Sequence, residues 1–212
     1  MIAETVQAEP TSLSWEQVWI LAVLHPSPAT FEKLIKDPAA TPRRAYKWMF
    51  FTTMIIIAIA LPLQYFLGGN ANLKNLAAQS NYPASTWIVV WIVLIPVCGL
   101  LSILGLMIEA ARLQWIAGWL GGSGYYEDLV YALAAFEVPL GVASALISVI
   151  PVIGGLSQLL SFYSFLLALI AIKTVNQFSW GKAVWCVVLP GLILIVLAIL
   201  FGICMVASLG RG

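Results

Sequence analysis

Charge is scarce in this chain: Asp, Glu, Lys and Arg make up 9% of its 212 residues, against about 25% in an ordinary soluble domain. So few charges cannot clothe a water-soluble surface, and with 62% of the residues hydrophobic most of the exterior must face lipid. The net charge of +1 excludes a nucleic-acid reader, which needs a basic stripe. Three cysteines and one histidine are too few and too scattered for a disulfide framework or a zinc site, and no cofactor or metal is expected. Cys98, Cys186 and Cys204 lie inside apolar runs, where a thiol acts as a small packing group. The opening MIAETVQAEPTSLSWEQ holds no lysine, no arginine and no apolar run, which argues against a cleavable signal peptide.

What is abundant is apolar length. A bilayer core takes about 20 apolar residues in helical form, and five segments qualify: 45–66, 86–116, 129–150, 156–174 and 183–209. The sequence therefore predicts an all-α membrane protein, a five-span domain over 45–209 preceded by a short amphipathic cytoplasmic arm over 1–44. The second span is on the order of 45 Å long at 1.5 Å per residue, so it should tilt, kink at Pro96 or project at its Glu109–Arg112 end. Lys33, Lys36, Arg43, Arg44 and Lys47 crowd the start of the first span. With that side cytoplasmic, Arg112, Lys173 and Lys182 also fall inside, leaving Lys74 and Arg211 outside. The positive-inside asymmetry predicts an internal N-terminus and an external C-terminus. Trp48, Trp87, Trp115, Trp119, Trp180 and Trp185 stand near span ends, as interfacial anchors do.

The segments between spans differ in character. Residues 67–85 read as a polar external loop, Pro151-Val-Ile-Gly154-Gly155 as a tight turn closing a helical hairpin, and 175–181 as a short internal turn. Gly141 with Ala145, and Ala198 with Gly202, are spaced for close helix packing. In the arm, residues 1–13 read as disordered. Ser14 with Gln17 forms a capping-box pattern, and Ser27-Pro28 and Thr41-Pro42 read as caps followed by proline at the first helical position. Trp15, Val18, Trp19 and Ala22 form an apolar stripe about three turns long, suited to the membrane interface. Phe31, Leu34 and Ile35 face one way and Glu32, Lys33 and Lys36 the other. The arm either anchors the first span or docks a cytoplasmic partner through Trp15, Trp19 and Phe31. Deleting 1–25 is expected to leave insertion intact.

Carboxylates inside apolar runs are the candidate site. Glu137 lies about 12 Å into the third span, where an ionised carboxylate costs several kcal/mol and needs a reason. Three readings stand: a carboxylic acid bonded across helices to Ser161, Ser164 or Tyr163, a proton or ion relay, or a lipid-headgroup contact. Glu109 and Arg112 are spaced to pair on one helix face, and Glu127 and Asp128 complement the dipole of the helix they begin. Together these four form either an interfacial fastening centred on Arg112 or a pocket for lipid or partner. Enzyme chemistry fails on inventory. Gly122-Ser-Gly124 before Tyr-Tyr-Glu-Asp128 echoes intramembrane aspartyl proteases, but that chemistry needs a second aspartate, and Asp37 lies in the arm. His25 likewise lies outside the spans.

Three stretches resemble the YIP family of Ypt/Rab-interacting membrane proteins and their prokaryotic relatives. Trp19 to Asp37, WILAVLHPSPATFEKLIKD, is similar to the family's arm, with Pro26, Pro28 and Phe31 in the characteristic places. Gly121 to Asp128, continuing through Tyr131-Ala-Leu to Pro139, looks like its glycine–tyrosine elbow, and Phe178-Ser179-Trp-Gly-Lys182-Ala183 like the approach to its last span. One departure is the longer separation between Leu133 and Pro139. The resemblance implies five spans, a cytoplasmic N-terminus and a non-enzymatic role in organising membrane or binding partners. Eukaryotic members bind prenylated small GTPases and act in vesicle traffic. The short N-terminal arm here has the look of a prokaryotic cell-membrane protein, so the GTPase partner is not carried over. The expected partners are the lipid bilayer, membrane or cytoplasmic proteins, and a second copy of the chain as a homo-oligomer. The alternative is a small transporter or channel with Glu137 in a proton or ion pathway.

Overall fold

The computed structural model describes residues 12–67, 84–150 and 155–209. The expected loop over 67–85, most of the turn at 151–155, and residues 1–11 and 210–212 fall outside or largely outside this set. Among these residues seven helices follow in order: α1 (Trp15–Leu24), α2 (Pro28–Ile35), α3 (Pro42–Leu67), α4 (Ala84–Trp119), α5 (Tyr126–Ser148), α6 (Leu156–Val175) and α7 (Trp180–Leu209). Four of them, over Val89–Trp119, Tyr126–Ser148, Leu156–Val175 and Trp180–Ile203, are long and apolar enough to cross a membrane. The chain is thus an integral membrane protein, all-helical among the described residues. The expected first span falls on α3, 26 residues long, which is not among these four.

The local signals act where the sequence predicts. The Ser14 hydroxyl accepts from the Gln17 N–H, while the Gln17 side chain accepts from the Ser14 N–H, closing both orphan donors at the start of α1. Ser27 caps α2 through the Thr30 N–H at 3.0 Å, with Pro28 supplying a preset φ. Thr41 does the same for α3 through the Arg44 N–H at 3.3 Å. Pro62, Pro96, Pro139 and Pro190 all sit inside helices. Transmembrane helices tolerate proline because neighbouring groups re-satisfy the carbonyl it leaves free.

At the centre stands α5, packed by α1, α2, α3, α4 and α6. Every residue from Leu129 to Phe136 on it is buried. The rest of the core clusters around that N-terminal half: Ala45 and Trp48 of α3, Leu106 to Ala117 of α4, Leu167 to Val175 of α6, and Ala183 and Cys186 of α7. Packing is therefore concentrated at the end where the arm joins. Toward the opposite end, Val89, Ile92, Leu100 and Leu104 of α4 and Leu192, Val196, Phe201 and Met205 of α7 are exposed apolar side chains.

Two expectations are corrected. The stripe on α1 does not lie on the membrane surface: Val18 and Ala22 are wholly buried, as are Phe31 and Leu34 of α2. The aromatic end of the bundle offers the short stripe a drier partner than the interface does. Trp48 is ringed edge-on by Trp15 and Trp19 at 5.9 Å each, and Tyr131 tilts against it at 5.3 Å. The second correction concerns glycine. A Cβ at Gly141 or Gly202 would meet nothing within 4 Å, so neither mediates close packing among the described residues. Gly99 does, since a Cβ there would lie 2.9 Å from the Phe50 ring.

Candidate functional site

The glycine elbow is a joint between three helices. Gly121 turns the chain out of α4 with φ +79°, a conformation that favours glycine. Its neighbours press on the α6–α7 turn: a Cβ at Gly122 would sit 2.6 Å from Asn176 Oδ1, and one at Gly124 would sit 2.4 Å from the Val175 carbonyl oxygen. Asn176 is a buried polar residue, and its bonds explain why. Its Oδ1 accepts from the Gly124 N–H at 3.3 Å and from Gln114 Nε2 at 3.2 Å, while its Nδ2 donates to Gln114 Oε1 and to the Ile172 carbonyl at 3.4 Å each. Gln114 Nε2 also donates to the Gly124 carbonyl at 2.5 Å. Lys182 Nζ donates to the Leu120 carbonyl at 2.8 Å, satisfying one of the orphan acceptors at the end of α4.

The arm is latched by a second polar centre that sequence reasoning missed. Asp37, its side chain only 2% exposed, stands 3.9 Å from Arg44 Nη1. Its oxygens accept the Leu13 N–H at 3.0 Å and the Ala39 N–H at 2.9 Å. Arg44 in turn donates to the Leu13 carbonyl at 2.6 Å and the Tyr131 hydroxyl at 3.4 Å, and lies 5.0 Å over the Trp48 ring. From α6, the Tyr163 hydroxyl donates to the Val23 carbonyl at 2.5 Å, so this tyrosine serves the arm. The signal was present as Asp37-Pro38, a turn-forming pair, but nothing local names Arg44 as its partner. The Trp19 and Trp48 indole N–H groups are buried without an acceptor among the described residues, a cost of about 1–3 kcal/mol each that offsets part of the docking energy.

The proposed carboxylates are partly brought together. Glu109 and Arg112 stand 3.9 Å apart in the C-terminal third of α4, both about two-fifths exposed. On α4 the charged neighbour of Glu137 is Glu109. Glu127 is exposed and Asp128 half-buried, and among the described residues neither forms an ion pair with Arg112. On its other side Glu137 opens on a cavity of about 200 Å³, lined by Leu140, Gly141, Ser144, Leu160, Ser161 and Ser164. Ser161 donates to the Ser157 carbonyl at 3.1 Å. Of the arm residues, Phe31 is wholly buried, edge-on to Phe136 at 6.2 Å, and Trp19 is partly buried. Trp15, 44% exposed, is the one of the three still offered to a partner. The exposed face of α2 carries Glu32, whose carboxyl is held below its ordinary range by the Lys36 ammonium bonded to it at 2.6 Å. Two exposed groups in such a pair add little stability.

Three short stretches from distant parts of the chain thus meet at one end of the bundle. The arm seats Phe31 on α5, the elbow seats Gly122 and Gly124 on the α6–α7 turn, and Lys182 closes onto α4. The Yip1 domain matches residues 21–201, from within α1 to within α7. The chain belongs to the Yip1 domain family. No curated protein and no solved structure matches it. Within the Yip1 domain the elbow's glycines have a steric reason, and the lysine in the first turn of the last helix has a backbone carbonyl to cap.

Proposed function

We propose that this Yip1 domain protein is a five-span, non-enzymatic scaffold that organises membrane or binds partners. Residues 1–44 form its cytoplasmic arm and 45–209 its membrane domain, with α3 as the first span and the C-terminus outside. The observation that carries the reading is the uneven burial of the spans. Half of the α5 span is buried, against 11% of α4 and 12% of α7. Two long helices therefore present almost their whole apolar length to lipid or to the helices of another chain, while the polar side chains at the arm end fasten the bundle internally. The basic residues of the arm, of the start of α3, and Lys173 and Lys182 at the facing ends of α6 and α7 share the packed end, which supports an internal N-terminus. A further copy of the chain, another membrane protein or a cytoplasmic protein are the partners such surfaces suit, with the bilayer of a prokaryotic cell as the setting.

The rival reading is a transporter with Glu137 in its pathway. Reconstitution into liposomes with proton- and ion-flux dyes separates the two. The scaffold reading expects no flux that depends on Glu137 and expects partners to be recovered by crosslinking in native membrane. Flux abolished by Glu137→Gln would sink it.

A further inference from the structure

Two cations near the start of α3, Arg43 and Lys47, are exposed and have no carboxylate partner among the described residues. Their neighbours are spent elsewhere. Arg44 is held by Asp37 and Lys36 by Glu32, Arg112 stands beside Glu109, and Lys182 donates to the Leu120 carbonyl. Four apart on one helix, Arg43 and Lys47 lie side by side.

Farther along α3 the same ridge turns apolar. Phe51, Ile55, Ile59 and Leu63 follow at the same four-residue step, and all four are exposed. Each adjoins the next, so a continuous band leads from the two cations toward the far end of the helix. That band borders a groove of about 90 Å³ between α3 and α5. Ile55, Ile59 and Ala60 form one wall, and Val142, Ala145 and Val149 the other. Ala60 and Ala145 leave a gap that larger side chains would close. Every lining side chain is aliphatic, so the groove offers water no partner and suits hydrocarbon. Lys47 and Ile59 are about 18 Å apart along the helix axis, close to the roughly 15 Å depth of one leaflet.

Charge at the membrane edge with hydrocarbon beneath it is the order of groups in a phospholipid. Two unpaired cations call for a headgroup of net negative charge, since a zwitterionic one brings its own ammonium. We propose that Arg43 and Lys47 hold the phosphate of one anionic diacyl phospholipid, one chain of which runs along Phe51 and ends in the α3–α5 groove. The bound lipid braces α3 against α5 away from the packed end of the bundle. The site rests on α3 lying in the bilayer, as the proposed topology has it, and not on the scaffold role.

The test melts the full chain in detergent micelles against increasing phosphatidylglycerol, phosphatidylcholine or inorganic phosphate. A saturable rise in melting temperature is expected at lower concentration with phosphatidylglycerol than with phosphatidylcholine, and none with phosphate alone. Arg43→Gln with Lys47→Gln, at two exposed positions, should weaken phosphatidylglycerol binding by roughly thirtyfold and abolish the preference. Lys33→Gln, at another exposed cation, should leave it unchanged. Ala145→Leu fills the groove and should weaken both lipids by about tenfold. Equal response to the two lipids, a response to phosphate alone, an unchanged response in the double or the leucine variant, or an equal loss from Lys33→Gln overturns the proposal. A spin label at Ala58→Cys, in a chain whose own cysteines are replaced by alanine, reports separately whether α3 meets lipid. A lipid-exposed label without lipid preference overturns the site alone, whereas a water-exposed label overturns the site and the topology together.

Discussion

Gln114 and Asn176 face each other as reciprocal amides, 3.2 Å and 3.4 Å apart across 62 residues of sequence. Each amide spends its remaining capacity on backbone, Gln114 on the Gly124 carbonyl and Asn176 on the Gly124 N–H and the Ile172 carbonyl. The pair therefore holds the end of α4, the start of α5 and the α6–α7 turn in one arrangement.

Asn176→Ala leaves the Gly124 N–H and the Gln114 amide short of partners in a buried place. Each orphaned group costs about 1–3 kcal/mol, so a loss of about 3 kcal/mol is expected in a denaturant-unfolding titration of the detergent-solubilised protein. Asn176→Asp keeps the acceptor oxygen and should cost less at a pH where the side chain is neutral than where it is charged. Equal stability of Asn176→Ala and the parent would show that the amide pair does not hold the joint.

Gly124→Ala is expected to destabilise more than any other glycine substitution in the elbow. Its Cβ would press on the Val175 backbone, with the carbonyl oxygen at 2.4 Å and the carbonyl carbon at 2.7 Å. A backbone cannot swing aside as a side chain does, and overpacking of this kind costs about 1–3 kcal/mol. Gly118→Ala is the control: nothing lies within 4 Å of its Cβ, and removing glycine from a helix interior is worth about 0.5–1 kcal/mol of added stability. Opposite signs for the two variants in one unfolding assay are the expected result.

Arg44→Ala should release the arm. Asp37, buried with its side chain 2% exposed, would lose its cation, and the Leu13 carbonyl and Tyr131 hydroxyl would lose a donor. Stranding a buried charge costs about 3–5 kcal/mol, so hydrogen exchange should accelerate across residues 15–35 while the centre of α5 stays protected. Asp37→Asn retains an oxygen for the Ala39 or Leu13 N–H and should act more weakly. Deleting residues 1–25, which the sequence alone predicts to leave insertion intact, is expected to destabilise the bundle, because Val18 and Ala22 belong to its core.

Reporters fused to the two ends of the chain should lie on opposite sides of the membrane, as an odd number of crossings requires. A single cysteine placed at exposed Lys47 should be labelled from the cytoplasmic side only. Ends on the same side would remove α3 from the spans, and labelling of the Lys47 cysteine from outside would reverse the proposed orientation.

Much of the fold was legible because helix length and apolar content are local properties. The expected spans 86–116, 129–150, 156–174 and 183–209 fall within two or three residues of α4, α5, α6 and α7, and Ser14, Ser27 and Thr41 cap the helices their spacing names. The candidate site was legible only in part. Glu137 stands out in an apolar run, but its neighbour Glu109 is 28 positions earlier on another helix, and a helical-face argument assigns Glu109 to Arg112 alone. Ser161 and Ser164 line a pocket together with Glu137, but Ser161, expected as its hydrogen-bond partner, donates to the Ser157 carbonyl.

What this sequence determined by itself is that the chain is a helical membrane protein with its basic residues gathered toward one end. Scarce charge and apolar length admit no other arrangement of backbone hydrogen bonds in lipid. Only the tertiary structure decided what the polar residues do. An amphipathic stripe fits a lipid surface or a protein groove equally well by its pattern, and the choice depends on whether Trp48 and Tyr131 stand ready to receive it. A buried asparagine, aspartate or glutamate likewise finds its partner through the packing of helices far apart in sequence, which no local spacing specifies.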